Sequence, residues 1–152
     1  MTKFLNNFNN LKLLLLDVDG VLTNGFKYYD QTGLCKLKTF SDLDFTAIKR
    51  FRASGVEVAW ISGDKTINEE IAKNRKIPFW YTRGKDKTEF LSEIYEKFSL
   101  TSSSPTAFVG DDLFDLNIMK AVHFSFCPKD TCNTVMNFCN INKTSLVLNR
   151  GP

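Results

Sequence analysis

Apolar residues in this chain fall into short solid runs, separated by segments in which they recur at helical spacing. The run at 11–18 reads as a fully buried strand, preceded by a polar, Asn-rich lead-in over residues 1–10. Residues 27–29 and 34–37 flank Asp30-Gln31-Thr32-Gly33 and predict a short hairpin, with Gly33 at the positive-φ position. Residues 42–53 put Phe45, Ile48 and Phe51 on one helical face, closed by Ser54-Gly55. A buried strand at 56–61, a helix at 66–74 and, after Pro78, a short strand at 79–81 come next. Residues 88–98 make the clearest amphipathic helix, with Phe90, Leu91, Ile94, Tyr95 and Phe98 on one side. A strand at 106–109, a helix at 113–120, a strand at 123–126, a helix at 131–139 and a last strand at 146–148 complete the pattern.

Strands alternating with helices predict an α/β fold of three layers, a central mostly parallel sheet with helices on both faces. The 152 residues suit a single domain spanning 1–152. Between Asp17 and Ser62 there is room only for the hairpin and one helix, not for a further domain.

Composition narrows the function classes. The net charge of +3, from 20 basic and 17 acidic residues, is too small and too interspersed for a nucleic-acid surface. No run is long enough to span a membrane. The apolar run at 11–16 is broken by Lys12 and followed by acids rather than a small-residue cleavage site, so a signal peptide is not expected there. Cys35, Cys127, Cys132 and Cys139 make no C-x-x-C pair, and His123 is the only histidine, so a zinc site is not expected. These features predict a reduced, cytoplasmic protein with no nucleic-acid or membrane partner.

Four polar clusters each follow a predicted strand: Asp17/Asp19, Ser62-Gly63-Asp64, Lys85/Lys87, and Gly110-Asp111-Asp112 with Asp115 a turn later. In parallel sheets ligands bind beyond the carboxyl ends of the strands. Asp17 and Asp19 repel each other unless a cation lies between them or one keeps a proton. Phosphoryl transfer to an aspartate needs such a set. The carboxylate is nucleophilic without an activating base, and Mg²⁺ held by acids offsets its repulsion from the phosphate. A hydroxyl and an ammonium hold the transferring oxygens. A second carboxyl protonates the leaving alkoxide and later deprotonates water.

Motif by motif, these residues resemble the haloacid dehalogenase-like phosphatase superfamily. Asp17-Val18-Asp19-Gly20-Val21-Leu22-Thr23 is similar to its first motif, which implies Asp17 as nucleophile and Asp19 as acid/base with its backbone carbonyl on the metal. Ser62 corresponds to the second motif and Lys87 to the third, with Lys85 as the rival lysine. Asp111 and Asp112 correspond to the fourth, the first a direct Mg²⁺ ligand and the second a water-mediated or supporting one. Gly20, Thr23 and Asp115 would support the site. Gly63, Asp64 and Lys65 are candidate substrate contacts, though a helix N-cap and solvated surface are equally good readings.

The resemblance implies a three-layer Rossmann-like fold with the hairpin in place of a cap domain. The capless branch that it resembles includes the 3-deoxy-D-manno-octulosonate 8-phosphate and nonulosonate 9-phosphate phosphatases. It thus implies a small phosphorylated sugar acid as substrate and a homotetramer associating through the hairpins. The chain departs from the octulosonate pattern at Asp64-Lys65, where an Arg is usual, at Ser41-Asp42-Leu43-Asp44, and at His123. It ends at Asn149-Arg150-Gly151-Pro152, ahead of the branch's Gly-rich, Arg-bearing tail. Two alternatives use the same residues: a receiver domain phosphorylated on Asp, and a silent assembly module related to the phosphatase-like domain of some cytidylyltransferases. Receivers carry their phosphoacceptor after the third strand, and no lone Asp follows residues 79–81.

Overall fold

The computed structural model describes residues 8–148. The strands β1 (Leu13–Leu16), β4 (Glu57–Ser62), β5 (Phe79–Tyr81), β6 (Thr106–Val109), β7 (Phe124–Cys127) and β8 (Ser145–Val147) form one sheet in the order β5-β4-β1-β6-β7-β8. All five neighbouring pairs are parallel. β1 lies at the centre because its four leucines are buried on both sides, in register with Glu57–Trp60 and Thr106–Val109.

The leucines alternate between two cores. Leu14 and Leu16 pack with Val58, Trp60 and Val109 under helices α1 (Asp42–Ala53) and α2 (Thr66–Asn74). Leu13 and Leu15 pack with Ile61 and Phe108 under α3 (Leu91–Lys97), α4 (Leu116–Ala121) and α5 (Asn133–Ile141). The three predicted layers are therefore present. Ser41 starts α1, its hydroxyl accepting from Leu43 N at 3.2 Å, and Phe45 and Ile48 carry its buried face. Phe40 and Phe45 both stack on fully buried Trp60, ring centroids 6.3 Å away in each case.

The small antiparallel hairpin of β2 (Tyr28–Tyr29) and β3 (Cys35–Leu37) stands outside the sheet. Gly33 closes its turn at φ 76°, and the Asp30 carboxylate accepts from Thr32 N and Leu34 N.

Element ends differ from the sequence expectation where the site draws the backbone away. The helix expected at 88–98 opens as a 3₁₀ turn, Lys87–Phe90, before α3, and the one expected at 113–120 as a 3₁₀ turn, Leu113–Asp115, before α4. The helix expected from 131 starts at Asn133, because Thr131 Oγ1 and Cys132 N both donate to the Asp111 carbonyl. Residues 1–7 of the expected lead-in and 149–152 lie outside the described residues. Phe8, within that lead-in, is half-buried and packs edge-on against Phe124 and Phe126 at the side of the core.

Candidate active site

The carboxyl ends of β1, β4, β5 and β6 open into one cleft of about 690 Å³. Its floor is Asp17, the first residue beyond β1, which is buried with its N–H donating to Val109 O at 3.0 Å. From there the backbone turns sharply, with Gly20 at φ 86° and its N–H on Thr23 Oγ1 at 3.3 Å. A Cβ on Gly20 would lie 2.0 Å from Asp111 Oδ2, so only glycine lets the two loops meet. Thr23 is buried behind this loop, and its hydroxyl oxygen also accepts from Gly25 N.

Two charge clusters share the cleft. In the first, Lys87 Nζ lies 2.7 Å from Asp17 Oδ1 and 2.5 Å from Asp115 Oδ1, all three side chains being buried. The Asp115 Oδ2 in turn accepts from the N–H groups of Asp111 and Asp112. One carboxylate oxygen from each of Asp17, Asp111 and Asp115 falls within 4.8 Å of the others. Lys85 lines the exposed mouth and makes no such contact, so the lysine that reaches Asp17 is Lys87.

The electrostatics of this cluster are unbalanced. One ammonium faces three carboxylates. Burial, together with repulsion by Asp17, Asp115 and Asp112, pushes the Asp111 carboxyl up to about 7. Burial also raises Asp17 to about 6, with Lys87 pulling it down and Asp115 pushing it further up. For Lys87 burial acts downward, but Asp17 and Asp115 outweigh it and hold the ammonium above its usual range. Asp111 Oδ1 is buried with no hydrogen-bond donor on it. An orphaned, buried acid oxygen beside two further carboxylates fits a divalent cation, and an all-oxygen donor set fits a hard one.

The second cluster surrounds Asp19. Its carboxylate stays outside the acid cluster of Asp17, Asp111 and Asp115, with Lys38 Nζ 2.7 Å from Oδ1, and Asn68 Nδ2 3.0 Å and Lys27 Nζ 3.9 Å from Oδ2. The Lys38 contact is an ion pair by distance, outside hydrogen-bonding direction. Lys38 also donates to Asp64 Oδ2 at 2.8 Å and Asn68 Oδ1 at 2.9 Å. Lys27 reaches the same Asp64 oxygen at 2.7 Å. Burial acts upward on Asp64, but hydrogen bonds from these two lysines outweigh it and hold the carboxyl at about 2. Ser62, the last residue of β4, is buried, and its hydroxyl oxygen accepts from Asp64 N at 3.1 Å and Asn68 Nδ2 at 3.2 Å. Both lone pairs are thereby used, which leaves its O–H to donate.

Not every residue expected from the sequence gathers here. Gly63 and Asp64 line the cleft, whereas Lys65 pairs with Glu69 at 3.5 Å and sits over the Tyr81 ring. Asp112 lines the mouth, but its carboxylate caps the 3₁₀ turn through Leu113 N at 2.6 Å. Lys27, Lys38 and Asn68 were not anticipated as site residues. The two lysines flank the hairpin, whose stems carry them back to the sheet. Asn68 is a polar residue on the buried face of α2, and that was the readable signal. His123 accepts from Thr106 N through Nδ1 at the amino end of β6, opposite the end that opens into the cleft, and takes no part.

No family model matches the chain. It is 34% identical over 130 residues to 3-deoxy-D-manno-octulosonate 8-phosphate phosphatase of Salmonella typhi, covering 85% of this chain and 68% of that one. With the enzyme of the same name from Escherichia coli K12 it shares 35% over 122 residues, covering 80% and 64%. The chain thus spans about two thirds of the length of these relatives. Among solved structures, the cobalt-bound deoxy-D-mannose-octulosonate 8-phosphate phosphatase from Haemophilus influenzae superposes with a TM-score of 0.83 at 30% identity, covering 95% of this chain and 81% of that one. The chain belongs to the 3-deoxy-D-manno-octulosonate 8-phosphate phosphatase family of the haloacid dehalogenase-like superfamily.

Proposed function

We propose that the protein is a cytoplasmic, Mg²⁺-dependent phosphatase that hydrolyses the phosphomonoester of a small sugar acid through an aspartyl-phosphate on Asp17. The observation that carries this reading is the contact set around Asp17. Its carboxylate, raised only to about 6, stays ionised at neutral pH, and Lys87 holds it 2.7 Å away at the floor of an open cleft. The cation would be held by Asp17, Asp111 and the Asp19 carbonyl, with Asp112 and Asp115 in support, and it would offset repulsion between the nucleophile and the phosphoryl oxygens.

Asp17 attacks phosphorus while Asp19 gives its proton to the departing alkoxide, so the P–O ester bond breaks as the Asp17–O–P bond forms. Lys87 and the free O–H of Ser62 bind the transferring oxygens, alongside the N–H of Gly63 at the exposed end of β4. Asp19, now a carboxylate, takes a proton from water, which attacks the phosphorus and frees phosphate and Asp17. Membership in a phosphatase family leaves no place for the receiver alternative.

The names of the relatives, 3-deoxy-D-manno-octulosonate 8-phosphate phosphatases, support an octulosonate 8-phosphate as the first candidate substrate. Asp64-Lys65 in place of the usual Arg favours a nonulosonate 9-phosphate as the second candidate. The exposed hairpin residues Phe26, Tyr28, Tyr29, Leu34 and Leu37 would associate with other copies in a homotetramer.

Phosphate release from eight- and nine-carbon keto-acid phosphates, with and without Mg²⁺, tests the proposal. Metal-dependent turnover of one of them is expected. Metal binding without release from any monoester would instead favour a silent assembly module.

A further inference from the structure

The mechanism above uses Asp19 but leaves open what aims its carboxylate. We infer that Lys38, at the outgoing stem of the hairpin, is the positioning residue that holds the Asp19 carboxylate in the orientation for proton transfer, with Asn68 as its counterpart. The inference rests on the phosphatase reading.

The Lys38 side chain is only 1% exposed, and its ammonium has three oxygens within 2.9 Å: Asp19 Oδ1, Asp64 Oδ2 and Asn68 Oδ1. Burying an ammonium is costly unless its protons and charge are all matched, so a lysine there has a built environment rather than an accidental one. Asn68 is equally committed. It is fully buried, accepts from Lys38, and donates to both Asp19 Oδ2 and Ser62 Oγ. Both Asp19 oxygens are therefore held, Oδ1 by Lys38 at 2.7 Å and Oδ2 by the Asn68 amide at 3.0 Å with Lys27 3.9 Å away. Asp64 closes the arrangement. It balances Lys38, and Lys27 meets the same carboxylate oxygen. Asp19, Asp64, Lys27 and Lys38 together sum to zero charge, separate from the acid-rich cluster around Asp17.

The geometry also explains why the rotamer needs holding. The Asp111 oxygens lie against Gly20, next in the chain to Asp19. An Asp19 carboxylate released from Lys38 and Asn68 could swing toward any cation bound there and become a ligand instead of an acid. Positive charge on Lys38 and the amide of Asn68 hold it in place.

A residue that acts through the general acid has a signature that a hairpin anchor lacks. An alkoxide leaving group needs Asp19's proton as the ester bond breaks, whereas p-nitrophenolate leaves without one. The experiment measures kcat/KM of Lys38→Met and Lys38→Arg for p-nitrophenyl phosphate and for an alkyl phosphate such as octulosonate 8-phosphate, with Mg²⁺. For Lys38→Met we expect about a 100-fold loss on the alkyl ester and a loss under about threefold on the aryl ester. Lys38→Arg, which keeps the charge, should recover most of the alkyl activity. Equal losses on both esters in a variant that melts like wild type would overturn the inference and leave the phosphatase reading standing. Should Lys38→Met not fold, Lys38→Gln is read in the same way. No release from either ester by the unaltered protein would overturn the phosphatase reading and the role of Lys38 together.

Discussion

At Gly20 one missing side chain permits the whole site. Its φ of 86° is a conformation other residues adopt at a cost of about 1 kcal/mol. A methyl group there would also drive into the Asp111 carboxylate. Gly20→Ala should therefore lower the melting temperature by a few degrees, at about 2–4 °C per kcal/mol for a chain of this size. It should weaken Mg²⁺ binding far more than that loss explains, which calorimetric titration of folded protein would show. The acids make a second prediction, in pH. Asp17 and Asp111 have folded-state values raised to about 6 and about 7. Between about pH 4 and 7 the metal-free folded chain thus binds more protons than the unfolded one, and the contribution of these acids to stability falls as pH rises. The urea midpoint of Asp111→Asn should fall less across that window than that of the unaltered protein, and Mg²⁺ should reverse the fall. Asp64 works the other way. Its value, held at about 2, gives stability present above about pH 4 and lost between about pH 4 and 2.

Among the elements, the hairpin connects fold and chemistry. Its two strands are short, and what ties it to the sheet is Lys27 and Lys38 gripping Asp64. Asp64→Ala leaves Lys38 buried with one carboxylate fewer, a loss of about 1–3 kcal/mol. Amides of the hairpin should then exchange faster while those of β1 and β6 stay protected, which hydrogen-exchange mass spectrometry would resolve. This was the part of the site hidden in the sequence. Asp17, Asp111 and Ser62 were legible because each ends an apolar run or follows one within two residues, and the parallel-sheet pattern says that such ends converge. Lys27 and Lys38 sit in a segment with no core periodicity, so only the three-dimensional return of the hairpin gives them a place. The helix starts at 87 and 113 were displaced for a related reason. There Lys87 and Asp115 turn into the cleft, and a tight 3₁₀ turn precedes the regular helix.

On the scale of the whole molecule, the parallel sheet and its two helix-covered faces were readable from alternation of strands and helices, and four consecutive leucines marked a buried strand, whereas the order of the strands came only from the structure. Association was not, because an apolar residue on a hairpin looks the same whether it is covered or bare. The exposed face of Phe26, Tyr28, Tyr29, Leu34 and Leu37 predicts self-association through the hairpins. Sedimentation of Tyr29→Ser/Leu37→Ser should give a smaller species than the unaltered chain, with the same circular dichroism. The central claim concerns a single atom pair, the Asp17 carboxylate and phosphorus. Phosphate release by Asp17→Asn in saturating Mg²⁺ tests it most directly. The account predicts a folded variant whose turnover falls to background, and turnover equal to that of the unaltered protein would contradict it.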